Sequence, residues 1–190
     1  NKGEQVIEWN QDLSSTYGDE PFELTASASS GLEITYVSGN ENVAQINGNQ
    51  LIVVSAGATT ISAYQEGNEG FEAAVPVVLD ITVAKRGLNF SDFVVAEKIY
   101  DGTAAGELES FGDDRIEGDE LVIVFDVSFT QYTVGENLDV QITNPRFEEC
   151  PDSGNYVLPG GTNYSIGNIV PRQLNLTNFI AEDKVYDGNT

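Results

Sequence analysis

Five carboxylates crowd residues 111 to 120: Asp113, Asp114, Glu117, Asp119 and Glu120, with Arg115 the only cation among them. Hard oxygen donors at this density are the ligand set of Ca²⁺, which takes six to eight of them. The spacing is not that of an EF-hand loop, and a run of acids is also what a solvated loop carries. The segment is therefore a candidate calcium site, beside the plainer reading of a charged surface loop.

A second pattern occurs twice, as Tyr100-Asp101-Gly102 and Tyr186-Asp187-Gly188. These residue types point to a structural turn. Tyr100 is expected to bury its ring and turn its hydroxyl to a backbone partner, Asp101 to hydrogen-bond its own turn, and Gly102 to take a positive φ. A ligand contact at a domain tip is the alternative. Lys98 and Lys184 precede the two turns at the same position beside acids, which suits an ion pair better than an isopeptide crosslink.

The remaining chemistry is sparse. The chain has no His, so the usual general base and the commonest transition-metal ligand are missing. Its single cysteine, Cys150, can neither build a usual zinc site nor close an intrachain disulfide. No serine lies in a Gly-x-Ser-x-Gly elbow, and no glycine-rich loop opens a helix to cradle phosphate. Catalysis by two carboxylates needs no His, but no pair stands out among the 31 acids. The expectation is a non-catalytic protein whose one candidate cofactor is calcium.

The elements that carry these residues read as strands. Residues 4–9, 22–28, 34–37, 43–46, 51–54, 59–64 and 77–83 are short apolar or alternating runs, separated by Gly39-Asn40, Asn47-Gly48-Asn49, Gly57 and Gly67-Asn68. About seven strands at such spacings predict an antiparallel sandwich. Past residue 104 the texture continues, with residues 121–129 the strongest strand and the segment from Val134 to Thr143 supplying one or two more.

Residues 88–104 and 174–190 match at a constant offset of 86, sharing Leu, Asn, Phe, Lys, Tyr, Asp and Gly. A period of that length marks a tandem domain array. The expected units are 1–86, 87–173, and 174–190 as the first strand of a further copy. Arg86 and Arg172 mark matching short joints. Acids outnumber Lys plus Arg by 12 to 3, 16 to 4 and 3 to 1 in the three segments, within a net charge of −23. Acidity this even argues against nucleic acid as a partner and against direct insertion into an anionic membrane.

The motifs in order resemble known modules. Residues 16–22 (Thr-Tyr-Gly-Asp-Glu-Pro-Phe), 28–32, 42–46 and 67–74 look like the mostly-β, glycine-rich (MBG) domain, a relative of the bacterial Ig-like group. Lys98-Ile99-Tyr100-Asp101-Gly102-Thr103, Gly118-Asp119-Glu120 and Ser153-Gly154-Asn155-Tyr156 resemble the YDG domain that commonly follows it. The second unit departs from the pattern between Asn144 and Cys150. The resemblance implies an all-β protein of tandem Ig-like β-sandwich domains arranged end to end. It further implies a secreted or cell-surface bacterial protein, adhesin-like, in which such repeats act as spacers for neighbouring repeats of the same polypeptide. Binding of a host or environmental glycan or protein through domain-tip loops is the alternative, and an accessory role beside a polysaccharide-degrading enzyme a third. The apolar set Leu176, Phe179, Ile180, Val185 and Tyr186 is expected to pair with a neighbouring chain's sheet edge or to lie on the second unit.

Overall fold

A computed structural model describes residues 1–177 and Gly188. The fold is all-β, with one short 3₁₀ turn at Pro151–Asn155. Among the described residues no helix is long and apolar enough to cross a membrane.

The first half of the chain forms β1 (Ile7–Glu8), β2 (Ser15–Thr16), β3 (Phe22–Glu23), β4 (Ser27–Ala28), β5 (Thr35–Ser38), β6 (Ala44–Asn47), β7 (Gln50–Val53), β8 (Gly57–Tyr64) and β9 (Val77–Ala84). The second half forms β10 (Arg86–Gly87), β11 (Phe90–Val95), β12 (Lys98–Ile99), β13 (Leu108–Asp113), β14 (Ile123–Phe129), β15 (Gly135–Phe147), β16 (Tyr156–Val157) and β17 (Asn163–Val170). By compactness, one unit gathers Asn1–Asp92, Phe111–Asp126 and Thr143–Thr162. The other gathers Phe93–Ser110, Val127–Ile142 and the chain from Asn163.

The first unit is sandwich-like. Its four-stranded sheet runs β2-β9-β8-β5 and its three-stranded sheet β3-β7-β6, with β1 paired to β4. Period-two alternation decides which side chains go inside. On β9, Ile81 and Val83 are buried while Asp80, Thr82 and Ala84 face out; on β8, Ile61 and Ala63 are fully buried. Leu13, Leu24, Tyr36, Val43 and Leu51 complete the core between the sheets.

The run 22–28 alternates like a single strand, but the chain breaks it in two. β3 pairs with β7, whereas β4 pairs with β1. Leu24 is buried at the crossing, its backbone N–H donating to Asn49 O at 2.8 Å. The joint at Arg86 is also more ordered than a linker: β10 runs parallel to β16, with Arg86 opposite Tyr156 and Gly87 opposite Val157.

A second four-stranded sheet has the order β12-β17-β15-β14. Val140 and Ile142 of β15 and Ile169 of β17 bury their side chains almost completely, with Phe129 and Leu138 beside them. β15 runs to Phe147, through the stretch where the family resemblance lapses. Asn144 takes a left-handed φ of 52° inside that strand.

Candidate functional site

Three of the sequence motifs meet in the first unit. Tyr17 follows β2, and its backbone N–H donates to Ala84 O at 2.9 Å, extending the parallel β2/β9 ladder by one bond. That places the ring edge-on to Tyr156, with centroids 5.5 Å apart. The Tyr17 hydroxyl donates to the Asp119 carboxylate, at 3.1 Å from Oδ1 and 3.0 Å from Oδ2. Tyr156, the first residue of β16, also donates its hydroxyl to Asp119 and accepts the Ile116 N–H at 2.9 Å. Its ring is 1% exposed, packed with Leu88, Leu121 and Ile123. A phenol has one donor and two acceptor positions, so the Tyr156 hydroxyl is well used on both counts.

Burial first, and then the Asp119 carboxylate, push the Tyr17 hydroxyl up to about 12. The same two causes raise Tyr156. A phenol whose folded pKa lies above its ordinary 10 stabilises the fold fully below pH 10, and that contribution is lost as pH climbs through 12. The melting temperature is therefore expected to drop steeply between pH 10 and 12, and Tyr17→Phe to flatten part of the drop. Melting curves across that range check it; identical profiles for the two proteins would remove Tyr17 from the network.

The acidic segment is parcelled out to separate partners. Asp113 belongs to the end of β13, its side chain only 5% exposed, and holds the Arg115 guanidinium through both oxygens. Hydrogen bonding to Arg115 keeps the Asp113 carboxyl below its ordinary value despite burial, and raises Arg115 in turn. Arg115 Nη1 also donates to Leu121 O at 2.9 Å, closing the loop. Asp114 accepts the backbone and side-chain N–H groups of Asn89, both at 2.8 Å. Asp119 takes the two tyrosines. Glu117 and Glu120 are exposed, and the Glu120 N–H donates to Asp152 at 2.8 Å. Among the described residues no three acids, His or Cys converge on a point that could hold a metal ion.

The Tyr-Asp-Gly turn lies in the second unit. Asp101 Oδ1 accepts the Thr103 N–H at 2.8 Å and its hydroxyl at 2.9 Å, and Gly102 sits at φ 83°. Lys98 Nζ donates to Asp101 Oδ2 at 2.8 Å, an ion pair that with the Thr103 bonds lowers the Asp101 carboxyl to about 2. Tyr100 departs from expectation. Its ring is 39% exposed, because β12 lies at the edge of its sheet; among the described residues its backbone N–H donates to Val170 O at 2.9 Å. Tyr186 and Asp187 lie outside the described residues, while Gly188 has φ 80°. Gly102→Val places a β-branched residue in the left-handed region and is expected to cost roughly 1–3 kcal/mol. A melting curve checks this, and no change would show that the turn relaxes freely.

The first unit also carries an open groove of about 1230 Å³, bounded by β5 and by the turn after β6. Glu23, Glu33 and Glu41 line it, with Asn49 Nδ2 donating to Glu23 at 2.6 Å. The Tyr36 hydroxyl, which could have faced a ligand, accepts the Ala26 N–H at 2.8 Å. Among the described aromatic residues, Tyr36, Phe129 and Tyr156 are buried, and Tyr132 and Tyr164 are the rings of the second unit most open to solvent.

In the sequence, Asp119 reads as a calcium ligand, and Tyr17 and Tyr156 fall in two separate motifs. No sequence signal joins them, since Tyr17 and Tyr156 lie 102 and 37 positions from Asp119. Compared with family models and with curated proteins, the chain matches none.

Proposed function

We propose that this chain is a spacer, a stalk segment of a secreted or cell-surface bacterial repeat protein, adhesin-like and non-catalytic. The observation that carries the reading is the fate of the motif residues. Tyr17, Asp119 and Tyr156 spend their polar atoms on one another, and Asp101 spends its carboxylate on its own turn. Residues kept for a substrate would present free donors or acceptors; these build rigidity instead. A net charge of −23 supports the same reading, since it keeps neighbouring repeats soluble and self-repelling.

The test extends the chain after Thr190 with a second copy of residues 105–173, so that 174–190 serve as the new copy's opening. Small-angle scattering should show the maximum dimension growing by about 25–45 Å, the length of a strand of 8–13 residues. An unchanged dimension would overturn the spacer.

The spacer reading does not require calcium at residues 111–120. Because Asp113, Asp114 and Asp119 already accept protein hydrogen bonds, calorimetry of metal-free protein is expected to show no heat and no melting shift at millimolar Ca²⁺. Saturable heat would reinstate the ion as a cofactor.

A binding module is the second reading, favoured by the groove beside β5. Saturable binding to a glycan or protein, weakened by Glu33→Ala or Glu41→Ala, would replace the spacer with it.

A further inference from the structure

Sheet register decides which backbone groups of β5 are already paired. Thr35 to Ser38 lie opposite Tyr64 to Ile61 of β8, and at the next position the Gly39 N–H donates to Thr60 O at 2.8 Å. A residue that donates to the one directly opposite belongs to a hydrogen-bonded pair, and such pairs alternate along an antiparallel ladder. Val37 and Thr35 therefore also bond to β8. Tyr36 and Ser38 turn their N–H and C=O the other way, and because β5 ends its sheet, no strand among the described residues receives them.

Both residues line the open groove of about 1230 Å³ in the first unit. That exceeds the roughly 300–1,000 Å³ of a site for a drug-sized ligand and suits a length of chain. The other lining stretch, residues 24–26, has its donors engaged: the N–H groups of Leu24, Thr25 and Ala26 go to Asn49 O at 2.8 Å, Gln11 Oε1 at 3.0 Å and the Tyr36 hydroxyl at 2.8 Å. Pairing is left to β5. Charge then narrows the partner, since Glu23, Glu33 and Glu41 line the groove with no Lys or Arg, and none of them enters an ion pair among the described residues. Ile34 and Ile46 add half-buried apolar surface. A second copy of this chain is a poor occupant, because its net charge of −23 repels the same carboxylates.

We infer that the free edge of β5 receives an extended basic peptide of another protein as an added strand. Its backbone pairs with Tyr36 and Ser38, its Lys or Arg side chains meet Glu33 and Glu41, and its alternate, apolar side chains rest on Ile34 and Ile46. Strand addition of this kind takes affinity from main-chain bonds and specificity from alternate side chains. The inference deepens the binding-module reading of this groove and rests on it.

The test titrates the present chain with a capped octapeptide alternating Lys and Val, and calorimetry is expected to show saturable binding. With free peptide at about ten times Kd, amide exchange at Tyr36 and Ser38 should slow about tenfold, following the unbound fraction, while Val37, already bonded to β8, changes less. Methylating every peptide-bond nitrogen of the octapeptide keeps its charge and removes its pairing, and should weaken binding at least about tenfold. Glu33→Gln combined with Glu41→Gln, both at exposed positions, should weaken the parent peptide about fivefold. No saturable heat, equal affinity for the methylated peptide, unchanged affinity in the double variant, or protection that spares Tyr36 and Ser38 would each overturn the inference. Protection of those amides that rises with the chain's own concentration would overturn it too, by making a second copy the occupant. A glycan or folded protein that binds where the octapeptide does not, and is weakened by Glu33→Ala, sinks the peptide alone and leaves the binding module standing.

Discussion

Tyr156→Ala is expected to destabilise the protein by about 3–5 kcal/mol, in the range for truncating a buried aromatic ring. The ring is 1% exposed and packs with Leu88, Leu121 and Ile123, so its removal opens a cavity in that cluster. The edge-on contact with Tyr17 is lost too, worth about 0.5–1.5 kcal/mol beyond the area it buries. Tyr156→Phe isolates the polar share. It keeps the packing but leaves the Ile116 N–H and one side of Asp119 without the hydroxyl, a loss of about 1–3 kcal/mol. Denaturant melts followed by the fluorescence of Trp9, the sole tryptophan, separate the two. A Phe variant as stable as the parent would mean that the hydrogen bonds around Asp119 contribute nothing net, and with them would go the case that the motif residues are spent on rigidity.

The fold class was legible because burial in a sheet writes itself into the sequence every second residue. Ile81 and Val83 alternate with Thr82 and Ala84, and the turns fall at glycines and asparagines where the alternation stops. What alternation cannot encode is the strand to which a strand pairs. Residues 22–28 have one rhythm but two partners, and β10 is a polar dipeptide that pairs only because Tyr156 and Val157 come alongside. The acidic segment was conspicuous for its charge. Its use was hidden because the partners of Asp119 lie 102 and 37 positions away, and composition carries no information about such separations. Tyr100 misled for a related reason: the motif specifies the turn, while ring burial depends on what lies beyond the edge of the sheet.

Gly67→Ala is expected to cost roughly 3 kcal/mol or more, through two mechanisms that a second substitution can separate. Gly67 has φ 80°, where an L side chain is strained by about 1–3 kcal/mol. An added Cβ would also stand 2.7 Å from Glu72 C and 2.8 Å from Glu72 O, backbone atoms that cannot swing aside as a side chain would. They are held because Glu72 O accepts Gln5 Nε2 at 2.6 Å, and the Glu72 N–H donates to Gly3 O at 2.9 Å. Gln5, 7% exposed, is itself fixed by donating to Gln65 at 2.9 Å and accepting the Ser30 hydroxyl. A satisfied buried amide of this kind transmits a push instead of absorbing it. Gly102 has nearly the same φ, 83°, and among the described residues beyond its two chain neighbours no atom lies within 4 Å of the added carbon. Gly102→Ala therefore reports the backbone strain alone, and the difference between the two melting shifts measures the clash. Equal shifts would show that the loop from Gln65 to Ala74 yields, and that the Gln5 network is softer than its hydrogen bonds suggest.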